Sequence, residues 1–337
     1  MTSLGATPPL PAAWLAEQLG IRLLAASPVA GGCIHSAWRL EVAADAAALR
    51  RWPALAGGLL FAKTNRASAL PLLRAEAEGL AALALAAAGS GLQVPEPLHL
   101  GLVDGHVDGH VVGHIDAGAD GCAVLLLPWL QFTAAGTAAA WAELGAALAR
   151  LHRSSLERVC TAGDRPGWFG WPHANAIGTA PQPNGWDRRW GRFFSARRLA
   201  PQLERQARAG GPLPGAAALL ERLPGWLDGH AAEPVLVHGD LWSGNAALSA
   251  GVAGVIFDPA VYRGDREVDL AMAQLFGGFP AAFFAGYEAT WPLAPGFDFR
   301  SSIYNLYHLL NHANLFGGGY RARAEATIQA LLAAPRA

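Results

Sequence analysis

The run Val235-Leu236-Val237-His238-Gly239-Asp240-Leu241-Trp242-Ser243-Gly244-Asn245 holds the densest chemistry in the chain. An apolar strand delivers a carboxylate and, five residues on, a carboxamide. Thirteen residues after Asn245 a second apolar strand ends in Asp258-Pro259-Ala260. Two strands that each bring an oxygen ligand to one edge make a place for a hard divalent cation. Mg²⁺ takes few protein oxygens and completes its shell with substrate phosphates. Phosphoryl transfer needs such an ion, a group beside the acceptor hydroxyl and a cation on the phosphates. Asn245 and Asp258 suit the first need and Asp240 the second. The third points to Lys63, the single lysine of a chain with 25 Lys+Arg. The bias towards arginine matches the Ala- and Gly-rich composition. Keeping one lysine marks a position that needs a compact ammonium rather than a planar guanidinium.

The elements that must position these groups divide into two parts. In the first, a helix is expected over 12–19 with a glycine stop at Gly20, then strands over 22–30, 36–42 and 59–63. Gly31-Gly32-Cys33-Ile34 joins the first two strands, where bare backbone can close over phosphates. The segment 45–58, with Arg50-Arg51-Trp52-Pro53, reads as a surface hairpin extension. Ser68 is the expected N-cap of a helix ending near Gly89. That helix carries Glu76, the expected partner of Lys63, with Glu78 as the alternative. Val94-Pro95-Glu96-Pro97 must be extended, and strands follow over 98–103 and 122–127. The run from Asp104-Gly105-His106 to Gly113-His114 reads as a polar hairpin rather than a metal site. The second part is mainly helical, over 138–152, 186–206, 216–227, 267–275, 281–289, 299–315 and 322–332, interrupted by a strand-and-loop island over 234–261. The fold class is therefore α+β, with a β-rich first domain over 1–129 and a helical second domain over 130–337.

Composition narrows the function. The chain has 337 residues, 52% hydrophobic and only 15% charged, so it can bury a large core and is not disordered. A net charge of −1 without a basic run argues against nucleic-acid binding. Cys33, Cys122 and Cys160 fit neither a disulfide framework nor a zinc site. The first eleven residues do not read as a secretory signal, and the alanine-rich stretch at 80–88 is too short to span a bilayer. The expected setting is soluble and cytoplasmic.

The order Gly-rich loop, strand Lys, helix Glu, H-G-D-L-x-x-x-N and I-F-D resembles the protein-kinase-like superfamily, in its aminoglycoside and choline phosphotransferase branch. D-P-A stands where protein kinases have D-F-G. The finer resemblance is to the fructosamine kinase (ketosamine-3-kinase) family. It is carried by Gly31-Gly32-Cys33-Ile34, Phe61-Ala62-Lys63-Thr64-Asn65 and Phe169-Gly170 with Asn175, Ile177-Gly178, Pro181-Gln182 and Asn184-Gly185-Trp186. It continues through His238 to Asn245, Phe257-Asp258-Pro259-Ala260 and Gly264-Asp265-Arg266-Glu267 with Asp269-Leu270-Ala271-Met272. Leu275-Phe276-Gly277-Gly278-Phe279 and Leu310-Asn311-His312-Ala313-Asn314-Leu315-Phe316-Gly317 complete it. His35 departs from the family, which usually shows Asn there.

The resemblance implies a two-lobed kinase fold using ATP and Mg²⁺ to phosphorylate the 3-hydroxyl of a ketosamine, a sugar–amine adduct of the fructosamine or ribulosamine type. The 3-phosphate is unstable and releases the free amine, so the implied role is deglycation of a metabolite or protein. By position, Asp240 would orient or deprotonate the acceptor hydroxyl, Asn245 and Asp258 would hold Mg²⁺, and Lys63 would grip the phosphates with Glu76 fixing it. Gly31, Gly32, Cys33 and Ile34 would contact phosphates, and Leu127 and Trp129, in the stretch 127–130, would meet adenine through backbone groups. Trp242 and His312 are the candidate substrate contacts, although a core role for Trp242 is equally consistent with the sequence. Cys33 is a candidate for a redox-sensitive link between two copies of the chain. The alternative function is phosphorylation of an aminoglycoside or choline, cationic substrates that call for an acidic cleft. Asp265, Glu267 and Asp269 could line one, although Asp269 better suits fixing the catalytic loop.

Overall fold

The computed structural model describes residues 10–30, 34–103, 121–133 and 136–334. Gly31, Gly32, Cys33 and the His-Gly run at 104–114 lie outside them. The chain forms two compact units, Met1–Ala81 with Pro95–Gln131, and Ala82–Val94 with Phe132–Ala337.

The first unit begins with α1 (Ala12–Leu19), which stops at left-handed Gly20 and buries Leu15 and Leu19. The elements β1 (Ile21–Val29), β2 (Ser36–Ala44), α2 (Ala46–Arg51) and β3 (Leu59–Arg66) follow, then α3 (Leu70–Ala87), β4 (Leu92–Gln93), β5 (His99–Val103) and β6 (Cys122–Pro128). An antiparallel sheet in the order β1-β2-β3-β6-β5 forms the unit's core. Its pleat sorts the side chains, because alternate residues face opposite sides. Trp38, Leu40 and Val42 of β2 join Leu60 and Ala62 of β3 and Leu15 and Leu19 of α1 in one apolar layer. Lys63, next in β3, therefore faces the other way.

Two local expectations are corrected. The 45–58 segment is not a hairpin: Asp45 accepts a hydrogen bond from the Ala48 amide at 2.7 Å and caps α2, and a 3₁₀ turn spans Pro53–Gly57. Ser68 does not cap α3, because it lies within the 3₁₀ turn Ala67–Ala69 that leads into it.

The end of α3 and strand β4 group with the second unit. The Ser154 hydroxyl donates to the Ala86 carbonyl at 2.6 Å and Arg150 donates to that of Ser90 at 2.7 Å. Strand β4 pairs in parallel with β13 (Gly254–Ile256).

The second unit contains α4 (Ala138–Ser154), capped by Thr137, and four three-residue strands: β7 (Phe169–Trp171), β8 (Asn175–Ile177), β9 (Ala180–Gln182) and β10 (Gly185–Asp187). Helices α5 (Trp190–Phe194) and α6 (Ala200–Gly210) are joined by a π-helical turn over Ser195–Leu199. Next come α7 (Ala216–Asp228), β11 (Val235–Val237), β12 (Ala246–Ala247), β13, β14 (Tyr262–Gly264), α8 (Glu267–Leu275), α9 (Ala281–Thr290), α10 (Phe297–Phe316) and α11 (Tyr320–Ala333). The expected helix over 186–206 is thus a strand followed by three helical pieces. Helices α4 and α9 come close to backbone contact at two glycines: a Cβ on Gly145 would strike the Phe283 carbonyl, and one on Gly286 the Ala142 carbonyl. No helix among the described residues is long and apolar enough to cross a membrane.

Candidate active site

In the first unit, β3 and α3 bring together the cation and the carboxylate. Lys63 Nζ donates to Glu76 Oε1 at 2.7 Å, with 8% and 11% of the two side chains exposed. This is the Glu76 pairing expected from the sequence. At the adjoining strand end, Asn65 Nδ2 donates to the Ile34 carbonyl at 2.9 Å and lies 2.9 Å from His35 Nδ1. Ile34 and His35 are therefore tied to β3. Leu127 is buried near the end of β6. Pairing with β5 stops at His99–Leu126, while pairing with β3 continues to Leu60–Pro128. The last residues of β6 thus have a ladder on one side only. The Trp129 ring lies 6.3 Å from that of Phe61 and carries the Arg39 guanidinium 5.7 Å above it.

The second unit assembles the carboxylates. Strand β11 is wholly buried and pairs antiparallel with β14. It is followed by His238, whose Nε2 lies 2.8 Å from the Phe257 carbonyl. Gly239 follows with φ +81°, and a Cβ there would strike the Ala260 carbonyl, so the turn into Asp240 requires glycine. Strands β12 and β13 form an antiparallel pair with Ala246 opposite Ile256, and the Phe257 amide donates to the Asn245 carbonyl at 3.0 Å. The thirteen-residue spacing is the length of this returning segment, which brings Asn245 and Asp258 side by side. Asn245 Nδ2 donates to the Asp240 carbonyl at 2.9 Å, with longer contacts to Asp240 Oδ2 at 3.4 Å and the Asp258 carbonyl at 3.3 Å.

Asp258 has φ +57°, the one left-handed non-glycine among the described residues. Such strain costs about 1–3 kcal/mol and collects at working sites. Burial, then the charges of Asp258 and Asp269, push the Asp240 carboxyl up to about 7. That value lies in the range where a carboxylate can take a proton at neutral pH.

The donor set fits a hard cation. The Asn245 nitrogen is committed to protein carbonyls, and its amide oxygen and the Asp258 carboxylate are the oxygen-type ligands that Mg²⁺ prefers.

Asp269 of α8 holds the loop from behind. Its two oxygens accept from the His238 amide at 2.7 Å and the Gly239 amide at 2.8 Å, and His152 Nε2 lies 3.1 Å away. Burial alone would raise its pKa. The His152 hydrogen bond, with the neighbouring histidines and the Gly239 amide, more than offsets this and keeps it lowered.

Asp265, Glu267 and Asp269 do not line an open acidic cleft, because all three carboxylates are buried and internally committed. Asp265 accepts from Tyr304 at 2.7 Å and lies 3.0 Å from His230. Glu267 accepts from Arg300 Nε at 2.7 Å and from Nη2 at 2.8 Å. The His230–Asp265–Glu267 cluster has metal-like proximity, but the Arg300 guanidinium already supplies the positive charge.

Trp242 is 40% exposed and its ring covers Gly244, so it is not a core tryptophan. The His312 ring lies among Phe276, Phe316 and Tyr320, with centroids 4.8–5.5 Å away, and its Nδ1 bonds the His308 carbonyl at 2.8 Å.

The middle motif supports the Asp258 turn. Asn175 donates to the Val261 carbonyl and Gln182 to that of Ala260, at 2.7 and 3.0 Å. Tyr307 in turn donates to Gln182 at 2.7 Å. Sequence reasoning missed one residue near the site. His308 on α10 is buried, with Nδ1 4.0 Å from Asp240 Oδ1.

The fructosamine kinase family's sequence profile matches residues 10–334. A Synechocystis protein named a probable ketoamine kinase is 37% identical over 330 residues, covering 96% of this chain and 98% of the relative. The chloroplastic protein-ribulosamine 3-kinase of Arabidopsis thaliana is 31% identical over 317 residues, covering 93% of this chain and 84% of the relative. Among solved structures, a Thermobifida fusca protein provisionally named a fructosamine-3-kinase superposes with TM-score 0.74 at 28% identity, covering 97% of this chain and 100% of that one. An aminoglycoside phosphotransferase, APH(4)-Ia, superposes with TM-score 0.55 at 17% identity, covering 96% and 100%, a likeness of fold alone. A shared protein-kinase-like fold leaves the antibiotic kinases and the ketosamine kinases both open, but the match along nearly the whole sequence does not: the chain belongs to the fructosamine kinase family and is an ATP-dependent kinase.

Proposed function

We propose that the chain transfers the γ-phosphoryl group of ATP to the 3-hydroxyl of a ketosamine, leaving ADP and a 3-phosphate that decomposes with release of the amine. The observation that carries this reading is the family match over residues 10–334, joined to the convergence of Asp240, Asn245 and Asp258 on one pair of turns. The ribulosamine 3-kinase name of the Arabidopsis relative supports the 3-position.

In this reading Asp240 accepts the hydroxyl proton as the hydroxyl oxygen bonds to the γ-phosphorus and the bond to the β–γ bridging oxygen breaks. A carboxyl pushed up to about 7 suits that transfer. Asn245 and Asp258 would hold Mg²⁺, which when bound would neutralise phosphate oxygens. Lys63, fixed by Glu76, carries positive charge to the phosphates, and Leu127 and Trp129 offer backbone to the adenine. Trp242 and His312 are assigned to the sugar–amine substrate. The Phe276, Phe316 and Tyr320 rings around His312 suit the substituent of the amine. The substrate is a free or protein-borne glycated amine.

The test is a substrate panel with ATP and Mg²⁺: a fructosamine and a ribulosamine of a simple amine, choline and kanamycin. Phosphorus NMR should place the new ester on carbon 3 of the ketosamines, followed by amine release. Turnover of choline or kanamycin alone would overturn the reading. Chelation of divalent ions should abolish turnover and added Mg²⁺ restore it. Asp240→Asn should abolish turnover while nucleotide still binds.

A further inference from the structure

We propose that His308 is a second contact to the acceptor hydroxyl, donating from Nδ1–H to the oxygen whose proton goes to Asp240. The inference rests on the phosphoryl-transfer reading above and names how that same site seats its acceptor.

Three observations carry it. His308 lies in the middle of α10 and is 3% exposed. Its Nδ1 is buried and has no hydrogen-bond partner among the described residues. That nitrogen is 4.0 Å from Asp240 Oδ1, beyond hydrogen-bond reach. Buried polar groups are nearly always satisfied, so an orphan calls for an explanation. A hydroxyl oxygen about 2.8 Å from each atom would subtend roughly 90° between them, an angle open to an alcohol that donates to one and accepts from the other. The pair thus forms a two-pronged seat for one hydroxyl: a carboxylate that takes its proton and an N–H that fixes its orientation. Burial, with His312 close by, moves the His308 imidazole down to about 3, so it stays neutral and keeps one N–H and one lone pair.

The same helix extends the seat. His312 lies one turn beyond and bonds back to the His308 carbonyl at 2.8 Å. From there the rings of Phe276, Phe316 and Tyr320 lead outwards, with Phe316 60% exposed. An acceptor anchored at His308 would therefore have its substituent directed along α10 towards an aromatic surface.

The experiment compares wild type, His308→Leu and His308→Asn. Asn places an amide nitrogen near the position of Nδ1, whereas Leu fills the volume without a donor. The expected result is a fall of roughly tenfold or more in kcat/KM for the ketosamine in His308→Leu, recovered to within a few-fold by His308→Asn, with KM for ATP unchanged in both. A 3-deoxy ketosamine, used as a competitive inhibitor, should bind wild type and His308→Leu with equal Ki, because it lacks the hydroxyl the imidazole is proposed to hold. An undiminished kcat/KM in His308→Leu overturns the inference. So does an equal loss in both variants, or weaker binding of the 3-deoxy analogue to His308→Leu, since each assigns His308 a packing role. Wild-type protein that turns over no ketosamine overturns the proposed function and this inference together. Wild-type turnover with an unaffected leucine variant overturns this inference alone.

Discussion

Lys63 shows how much one position can ask of a residue type. Its ammonium is nearly buried, 2.7 Å from Glu76, in a chain that otherwise uses arginine for its basic residues. A guanidinium is planar and broad and cannot make the same point contact in the same slot. Lys63→Arg is expected to lower kcat/KM by about two orders of magnitude or more while circular dichroism remains that of the folded protein. Near-normal turnover would return the lysine to compositional accident. Asp269 is the complementary case of a residue with no reacting atom to touch. It takes the backbone amides of His238 and Gly239, so Asp269→Ala strands buried donors and should cost about 3–5 kcal/mol in denaturant unfolding. These residues were legible because each sits in or beside a local motif whose spacing has a physical meaning. His308 was not legible. It stands in the apolar run Tyr307-His308-Leu309, which reads as core, and only the packing of α10 brings it within 4.0 Å of Asp240.

At the scale of elements, long amphipathic segments could be read and short ones could not. Helices α4, α8, α10 and α11 fall where helical periodicity put them, to within a few residues at their ends. The three-residue strands β7 to β10 offer too little length for alternation to show, and β10 was absorbed into an expected helix. Their purpose appears only in three dimensions, where Asn175 and Gln182 bond the carbonyls just after Asp258. The closest packing was equally invisible. Nothing in the local pattern says that Gly145 of α4 and Gly286 of α9 face each other's helix backbone. A methyl group at Gly145 would meet the Phe283 carbonyl, and backbone cannot rotate away as a side chain can. Gly145→Ala, which improves helix propensity by about 1 kcal/mol, should nevertheless destabilise the protein by about 1–3 kcal/mol. A thermal midpoint equal to or above wild type would show that α4 and α9 can move apart at little cost.

For the whole molecule, the buried titratable groups make stability depend on pH in opposed ways. His308 is held near 3 and His238 is also lowered, chiefly by burial. Both unfold to an ordinary pKa of about 6.5, so below that the unfolded chain binds more protons and stability falls as pH falls. For His308 the loss runs from about pH 6.5 to about 3, at up to about 1.4 kcal/mol per pH unit. Asp269, lowered in the folded state, adds a loss that begins below about pH 4. Asp240 acts in the other direction. Its folded value of about 7 means the folded state binds the extra proton between roughly pH 4 and 7, so its contribution falls as pH rises through that window. The two tendencies partly cancel in the wild type, and the Asp240→Asn variant separates them. In that background, urea unfolding should give a stability that climbs with pH from about 3 to 6.5. Adding His308→Leu should reduce the slope by up to one proton's worth, about 1.4 kcal/mol per unit. The groups that face His308 are Asp240, His312, Asp269 and Arg198, and with Asp240 neutralised the others leave it favouring the neutral ring. An unchanged slope in the double variant would mean that the imidazole is as easily protonated in the folded protein as in the unfolded chain, and that the pocket on α10 admits water freely.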